Sequence, residues 1–174
     1  MKKIFDNKPF TLDTIPSNKK DSKIYFKNAG GRYWRLIKSF PTYFINGKGC
    51  TTTSTEKTLS TDKRCIKQLI SLFSSTLFYY YWRVVSNCRH LTDREMTAFP
   101  IGQNILNDND LKSLAVDFEK DLKDNAIRLE TESKATGKTI QDSFRIKLSK
   151  PLIDETDKIL ATHYGFTDEE LDFI

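Results

Sequence analysis

Residues 63–86, KRCIKQLISLFSSTLFYYYWRVVS, form the most strongly patterned stretch of the chain. Apolar residues recur there at spacings of three and four, the period of one helical face. They are Ile66, Leu69, Ile70, Phe73, Leu77, Tyr80, Tyr81 and Val84. The pattern predicts one helix from about 63 to 86, with its second half buried on several sides. We expect the aromatic run 78–82 to pack in the core rather than stack on bases, with Tyr79 and Trp82 nearest the edge.

The residues before this helix favour strands. Segments 23–27 and 32–38 are rich in β-forming residues and flank a turn signal at 28–31, which predicts an antiparallel pair. The hydroxyl-rich stretch 50–61, CTTTSTEKTLST, lacks a helical period. It is predicted to be a loop or an edge strand.

The residues after the aromatic helix favour further helices. Thr92 and Glu95 have the spacing of a capping box, and Pro100 ends that short helix. A long helix is expected from 110 to about 134, a strand over 139–148, and a helix from Pro151 to Gly165, followed by a short last helix. The fold class is therefore α+β, a small antiparallel β portion in the N-terminal half followed by a mostly helical C-terminal half. We divide it into a polar arm (1–22), a basic core (23–109) and a helical C-terminal subdomain (110–174).

Charge is distributed unevenly along the 174 residues. Residues 1–100 carry 18 Lys and Arg against 7 Asp and Glu, whereas residues 101–174 carry 10 against 16. This asymmetry suggests a polyanion-facing surface in the first part only. Asp117, Glu119, Asp121 and Asp124 are expected on the outer face of the long helix, which should therefore face away from DNA or against a separate catalytic domain.

The motifs that are typical of several functional classes are absent from the sequence. The sequence has no Gly-rich nucleotide loop, no nucleophile elbow, no H-E-x-x-H and no adjacent prolines of an adenine-methylating segment. No apolar run approaches a membrane helix, no secretory signal opens the chain, and three widely spaced cysteines point to a reducing cytoplasm. Cys88 with His90 is a weak nucleophile–base candidate, and Glu132 with Lys134 a weak nuclease candidate. We predict no catalytic, metal or cofactor-binding residue in this chain.

A set of segments in order resembles a known family. The segments are Tyr33-Trp34-Arg35, the hydroxyl run 51–55, the stretch 74–82, Ser86-Asn87-Cys88-Arg89-His90-Leu91, Phe99-Pro100-Ile101, 150–155 and the stretch 163–171, HYGFTDEEL. Over about residues 23–174 they resemble the C-terminal target-recognition region of adenine-specific DNA methyltransferases, which also occurs in fused type IIG restriction–modification enzymes. The resemblance implies a mixed fold that reads a short duplex sequence. It also implies an S-adenosylmethionine-dependent catalytic domain, in cis or as a partner chain, which this sequence lacks.

The residue types agree with a DNA-contacting role. Lys and Arg neutralise phosphates, Arg and Asn pair with base edges, and short hydroxyl side chains bind phosphate oxygens. We predict that fourteen residues form the DNA-binding set: Arg32, Arg35, Lys38, Lys48, Thr51, Thr52, Thr53, Ser54, Lys57, Arg83, Asn87, Arg89, His90 and Arg94. The predicted partner is duplex DNA, without a membrane. The alternative is a protein–protein interaction module that docks through the C-terminal helices.

Overall fold

The computed structural model describes residues 2–6, 11–14, 20–29, 36–50 and 56–173. It confirms the α+β class, with antiparallel sheets concentrated in the N-terminal half and helices dominating the rest. The predictions for Arg32, Arg35, Thr51, Thr52, Thr53 and Ser54 lie outside the described residues.

The described elements follow one another along the chain in a simple order. The N-terminal half contains α1 (Lys2–Asp6), β1 (Ser22–Lys27), β2 (Ile37–Lys38), β3 (Tyr43–Ile45), β4 (Lys48–Cys50), β5 (Glu56–Thr61), α2 (Ile66–Ser74) and α3 (Thr76–Val85). The remaining elements are α4 (Asp93–Thr97), α5 (Gln103–Leu106), α6 (Asn109–Asp124), β6 (Ile127–Ser133), β7 (Gly137–Ser143), α7 (Lys150–Tyr164) and α8 (Asp168–Phe173).

The strands form two antiparallel sheets. The first has the order β2-β1-β5, so the hydroxyl-rich stretch contributes an edge strand, as expected for residues 56–61. The second has the order β4-β3-β7-β6 and joins the early β3–β4 hairpin to the late β6–β7 hairpin. Residues nearly 100 positions apart therefore share this sheet, as in the pairing of Phe44 with Ile140.

The predicted long helix 63–86 is broken in two at Ser75. Ser75 has an extended backbone, and its hydroxyl accepts a hydrogen bond from the Phe78 N–H at 3.0 Å. The Asp157 carboxylate accepts a second bond from the Thr76 N–H at 2.9 Å. These caps satisfy the first N–H groups of α3, which is why two short helices replace one.

The predicted helix 110–134 is wrong beyond residue 124. It ends at Asp124, and the following IRLETES segment forms β6, which pairs with β7 along its whole length. Gly137, with φ of 72°, closes the tight connection between these strands. The expected strand 139–148 is shorter, since β7 ends at Ser143 and a 3-10 turn follows at Ile146–Ser149.

The helices pack around an aromatic core. The rings of Tyr81 and Phe99 have centroids 4.8 Å apart, those of Phe78 and Phe99 lie 5.3 Å apart, and the Tyr164 hydroxyl donates to the Pro100 carbonyl at 2.7 Å. Phe78 and Tyr81 therefore pack inward as predicted, whereas Tyr80 is only half-buried. Trp82, however, is buried rather than at the edge, and the half-buried Tyr79 stacks on it.

One hydrophobic core draws residues from all three predicted segments, for example Ile4, Phe26 and Phe118. The division at residues 23 and 110 stays a prediction. Among the described residues, no helix combines the length and apolar character needed to cross a membrane.

Candidate nucleic-acid interface

The loop 86–90, between α3 and α4, is fixed to the body of the protein at its C-terminal end. The indole N–H of Trp82 donates to the His90 carbonyl at 3.2 Å, and the Leu91 N–H donates to the Asn28 carbonyl at 3.0 Å. Because Asn28 directly follows β1, these two bonds hold the loop against the end of the first sheet.

The same loop is also ordered by its own side chains. The Ser86 hydroxyl accepts from the Cys88 N–H, and the Asn87 carbonyl oxygen Oδ1 accepts from the Arg89 N–H, both at 3.0 Å. Cys88 adopts the left-handed conformation, with φ of 57°. The backbone is thereby fixed while the side chains of Asn87, Arg89 and His90 are exposed.

Described residues that flank two further connections also lie at this end of the sheet. Lys27 is paired with Glu56, and its N–H donates to the Leu36 carbonyl at 3.1 Å. The connections that contain residues 30–35 and 51–55 therefore begin or end beside one another, next to Asn28. These connections carry six residues of the predicted DNA-binding set.

Lys57 and α4 complete the same region. Lys57 is exposed in β5 and is close enough to Asp93, the first residue of α4, for its charge to oppose the rise in that carboxyl's pKa that burial causes. Arg94 follows Asp93 and is exposed. We call the exposed described residues at this end the sheet-end surface; they are Lys57, Asn87, Arg89, His90 and Arg94.

Two carboxylates accompany the cations of the sheet-end surface. Burial raises the pKa of Asp93 above its ordinary value, against the lowering effect of Lys57. The Glu95 carboxylate accepts the Thr92 N–H at 2.8 Å, one of the bonds of the predicted capping box. Lys57, Arg89 and Arg94 therefore outnumber the acids, and the surface offers guanidinium, ammonium, amide and imidazole donors to phosphates and base edges.

Lys38 does not belong to this surface, which corrects the prediction. Its side chain is fully buried, and its ammonium pairs with Glu56 at 2.6 Å. The rings of Tyr25, Phe40 and Phe144 surround it at 5.4–5.8 Å from their centroids. An ammonium enclosed in this way cannot reach a phosphate.

Lys38 lies at the centre of a buried cluster that we call the charge junction, formed by Lys38, Glu56, Glu119 and Asp142. Burial lowers the pKa of the Lys38 ammonium, opposed by the charges of the three carboxylates. Glu56 also accepts the Thr42 N–H at 3.0 Å, and Asp142 binds Arg128 through two bonds of 2.8 and 3.0 Å. The junction thereby connects both sheets with α6.

Glu119 is a second correction, because the sequence placed it on the outer face of its helix. It is 4% exposed and accepts bonds from the Ser39 N–H and the Lys67 ammonium. Its spacing of four from Ala115 and three from Leu122 puts it on the buried helical face. That spacing was the signal in the sequence for its burial.

The remaining predicted residues lie elsewhere. Lys48 is exposed in β4 opposite Ile45, near the hairpin turn at Asn46 and Gly47. The other end of that hairpin is the one that contacts Glu56, so Lys48 is displaced from the sheet-end surface. Arg83 is exposed on the last turn of α3.

The residues of the two catalytic candidates, Cys88 with His90 and Glu132 with Lys134, are all exposed. The Cys88 thiol contacts the carbonyl oxygens of Arg83 and Ser86, at 3.3 and 4.0 Å. Glu132 and Lys134 are both exposed, Glu132 near the end of β6 and Lys134 in the β6–β7 turn rather than on a helix. In the described part of the chain, no group of three or more His, Cys, Asp or Glu side chains is arranged to hold a metal ion.

Comparison with known proteins returned no match, whether against family models, curated proteins or solved structures. The case for a function therefore depends on residue chemistry and geometry.

Proposed function

We propose that this chain is a non-catalytic target-recognition domain that binds duplex DNA through the sheet-end surface. One observation carries the proposal. Cationic side chains from β5, from the loop after α3 and from α4 are exposed at one end of one sheet. Clustered cations are the electrostatic basis of DNA affinity.

The loop 86–90 is the part best suited to sequence reading. Its backbone is held by Trp82, Asn28 and its own side chains, so little conformational entropy remains to be lost on binding. Arg89 is suited to a bidentate contact with guanine, while Lys57 and Arg94 suit phosphates. The acidic outer residues of α6 that remain exposed, such as Asp117 and Asp124, are suited to a position away from the DNA.

The chemistry in this proposal belongs to another domain. Following the family resemblance, the chain presents a flipped adenine to a methyltransferase domain that binds S-adenosylmethionine, in cis or as a partner chain. The chain alone is then no enzyme. Its system is a type II restriction–modification system, and its compartment the cytoplasm.

The test is the salt dependence of duplex binding, measured by fluorescence anisotropy. The variant K57A/R94A should bind more weakly, and its log–log salt slope should be shallower by about 1.8 for two lost phosphate contacts. The matched control is K112A/K120A, which removes two exposed cations from α6 and should leave the slope unchanged.

Two results would count against the proposal. One is the absence of duplex affinity at low salt, both for the chain alone and for the chain joined to its catalytic partner. The other is a complex whose affinity scarcely changes with salt, which would favour the alternative of a protein-docking module.

A further inference from the structure

The strand β6 forms one edge of the second sheet. It pairs with β7 along its whole length on one side, and no strand that the structure describes pairs with its other side. All seven residues of β6 are exposed, whereas β4, at the opposite edge of the sheet, has only three residues. An exposed strand edge presents unpaired backbone groups to which a further strand can bind.

The hydrogen bonds of the second sheet determine which backbone groups of β6 point to this open edge. The Asp142 N–H donates to the Thr42 carbonyl at 3.0 Å, so the backbone groups of Asp142 are directed towards β3 and away from β6. Arg128 lies directly opposite Asp142 in the ladder. Because backbone direction alternates along a strand, the N–H and C=O groups of Arg128, Glu130 and Glu132 are directed to the open edge.

The side chains of β6 divide between two faces of the sheet. Arg128 and Glu130 lie on one face, where their side chains remain 58% and 48% exposed although each already has one ion-pair partner in β7. Ile127 and Leu129 lie on the other face and are 43% and 57% exposed. The open edge therefore carries a cation and an anion two positions apart on one face and two apolar side chains on the other.

We infer that the open edge of β6 pairs with β6 of a second copy of this chain, antiparallel and about a two-fold axis at Leu129. An axis perpendicular to the sheet at this residue places Leu129 opposite Leu129 of the second copy. Arg128 then lies opposite Glu130 of the second copy, and Glu130 opposite its Arg128, so both charge contacts are attractive. These two residue pairs have outward-directed backbone groups and exchange four hydrogen bonds between the copies.

The charges of β6 favour this register over its neighbours. An axis at Arg128 places that cation opposite itself, and an axis at Glu130 does the same for the anion. An axis at Thr131 places Glu130 opposite Glu132 of the second copy. Only the axis at Leu129 combines two attractive contacts with no like-charged pair over this part of the strand. This self-complementary order of charges favours a second copy as the occupant.

This inference goes beyond the proposed function and does not depend on it. None of the residues of the sheet-end surface lies in β6, so a dimer of this kind leaves that surface uncovered. The experiments on the dimer require no DNA.

The first experiment measures the mass of the full chain in solution by sedimentation velocity over a concentration series. The wild type should be a dimer at about 100 μM, and E130K should raise the dissociation constant at least about tenfold, because it turns two attractive contacts into repulsive ones. The matched control is E155K, since Glu155 on α7 is likewise exposed and paired with a lysine, at the same 2.7 Å. Circular dichroism would verify that both variants are folded.

The second experiment tests the register by crosslinking. In a C50S/C88S background, which leaves only the buried Cys65, L129C should form a covalent dimer when diamide oxidises the thiols. Directly opposed residues of this kind have Cα atoms about 4.5 Å apart, which suits a disulfide. I127C is the matched control, because the axis at Leu129 separates its two copies by four residues, or about 13 Å along the strands.

Five results would overturn the inference. They are a monomeric wild type at about 100 μM, a dimer unaffected by E130K, a dimer weakened equally by E155K, and crosslinking of L129C no faster than that of I127C. The fifth is an assembly that grows beyond the dimer with concentration, which would indicate that β6 pairs with the β4 edge of the next copy.

Discussion

The charge junction and the loop 86–90 both contain basic residues predicted to contact DNA, and the fold places them in opposite environments. Lys38 in the junction is fully buried against Glu56 and three aromatic rings, whereas Arg89 in the loop is exposed. In the junction the side chain is fixed by its partners. In the loop it is the backbone that is fixed, through Trp82 and Asn28, and the side chain stays accessible.

The difference shows what a cation needs in each environment. A buried ammonium loses its hydration, and only nearby carboxylates and ring faces compensate for that loss. An exposed guanidinium keeps its water and contributes little to stability. Two residues of the same charge therefore differ in role. Lys38 has a structural role in the charge junction, whereas Arg89 remains available for binding.

The largest expected effect comes from breaking the charge junction. Lys38→Met leaves Glu56 buried without its cation, which should reduce the free energy of unfolding by about 3–5 kcal/mol. The measurement is urea unfolding followed by circular dichroism. The double variant K38M/E56Q removes both charges and keeps an acceptor for the Thr42 N–H, so it should recover most of the loss.

The matched control for this comparison is Arg89→Met. Because Arg89 is exposed, its replacement should change the unfolding free energy by less than about 0.5 kcal/mol. Equal destabilisation by K38M and R89M would contradict the contrast between the two regions.

The next effect concerns Asp157, a buried charge whose hydrogen-bond partners are N–H groups rather than a cation. It caps α3 through Thr76 and Leu77, and burial raises its pKa to about 6. Because the folded-state pKa exceeds the ordinary value of 3.8, the free energy of unfolding should fall as pH rises through this interval. The loss approaches about 3 kcal/mol at neutral pH.

Asp157→Asn should remove this pH dependence while keeping an oxygen acceptor for the helix N–H groups. Relative to the wild type, its unfolding free energy should therefore rise between pH 4 and pH 7. Parallel pH profiles of the two proteins would show that Asp157 does not titrate as stated.

The smallest expected effect is that of Trp82→Phe, which deletes the indole N–H that holds the His90 carbonyl. One hydrogen bond of this kind is worth about 1 kcal/mol, apart from a contribution from lost ring volume. The sharper readout is DNA binding, since a loosened loop should weaken affinity without changing the salt slope. A reduced slope would indicate instead that the substitution also removes a phosphate contact.

Local patterns sufficed for much of the fold. The capping box at Thr92 and the end of α7 at Gly165, with φ of 68°, both follow from short-range chemistry. The edge strand at 56–61 is one of the two alternatives that the sequence left open for residues 50–61. Two elements depended on distant residues. The break at Ser75 is reinforced by Asp157, which is 82 positions further along, and β7 pairs with β3 as well as with β6. The spacing of apolar residues within a short stretch of sequence does not reveal such distant partners.

The candidate site was predictable only in part. Exposure of Asn87, Arg89, His90 and Arg94 follows from their position in and after a polar loop. Lys38 looked equally basic, but its burial follows from β1, β5 and the second sheet closing around it. The exposure of Val84 and Val85 was not predicted, because an apolar helical face predicts burial, and the helix is apolar on more sides than its neighbours cover.

The hydrogen bond from the Tyr164 hydroxyl to the Pro100 carbonyl joins the end of α7 to the segment between α4 and α5. Phe99 and Tyr164 are both buried, with ring centroids 6.2 Å apart. A buried polar contact as well as ring packing therefore connects these two segments, so a substitution in either one should disturb the position of the other.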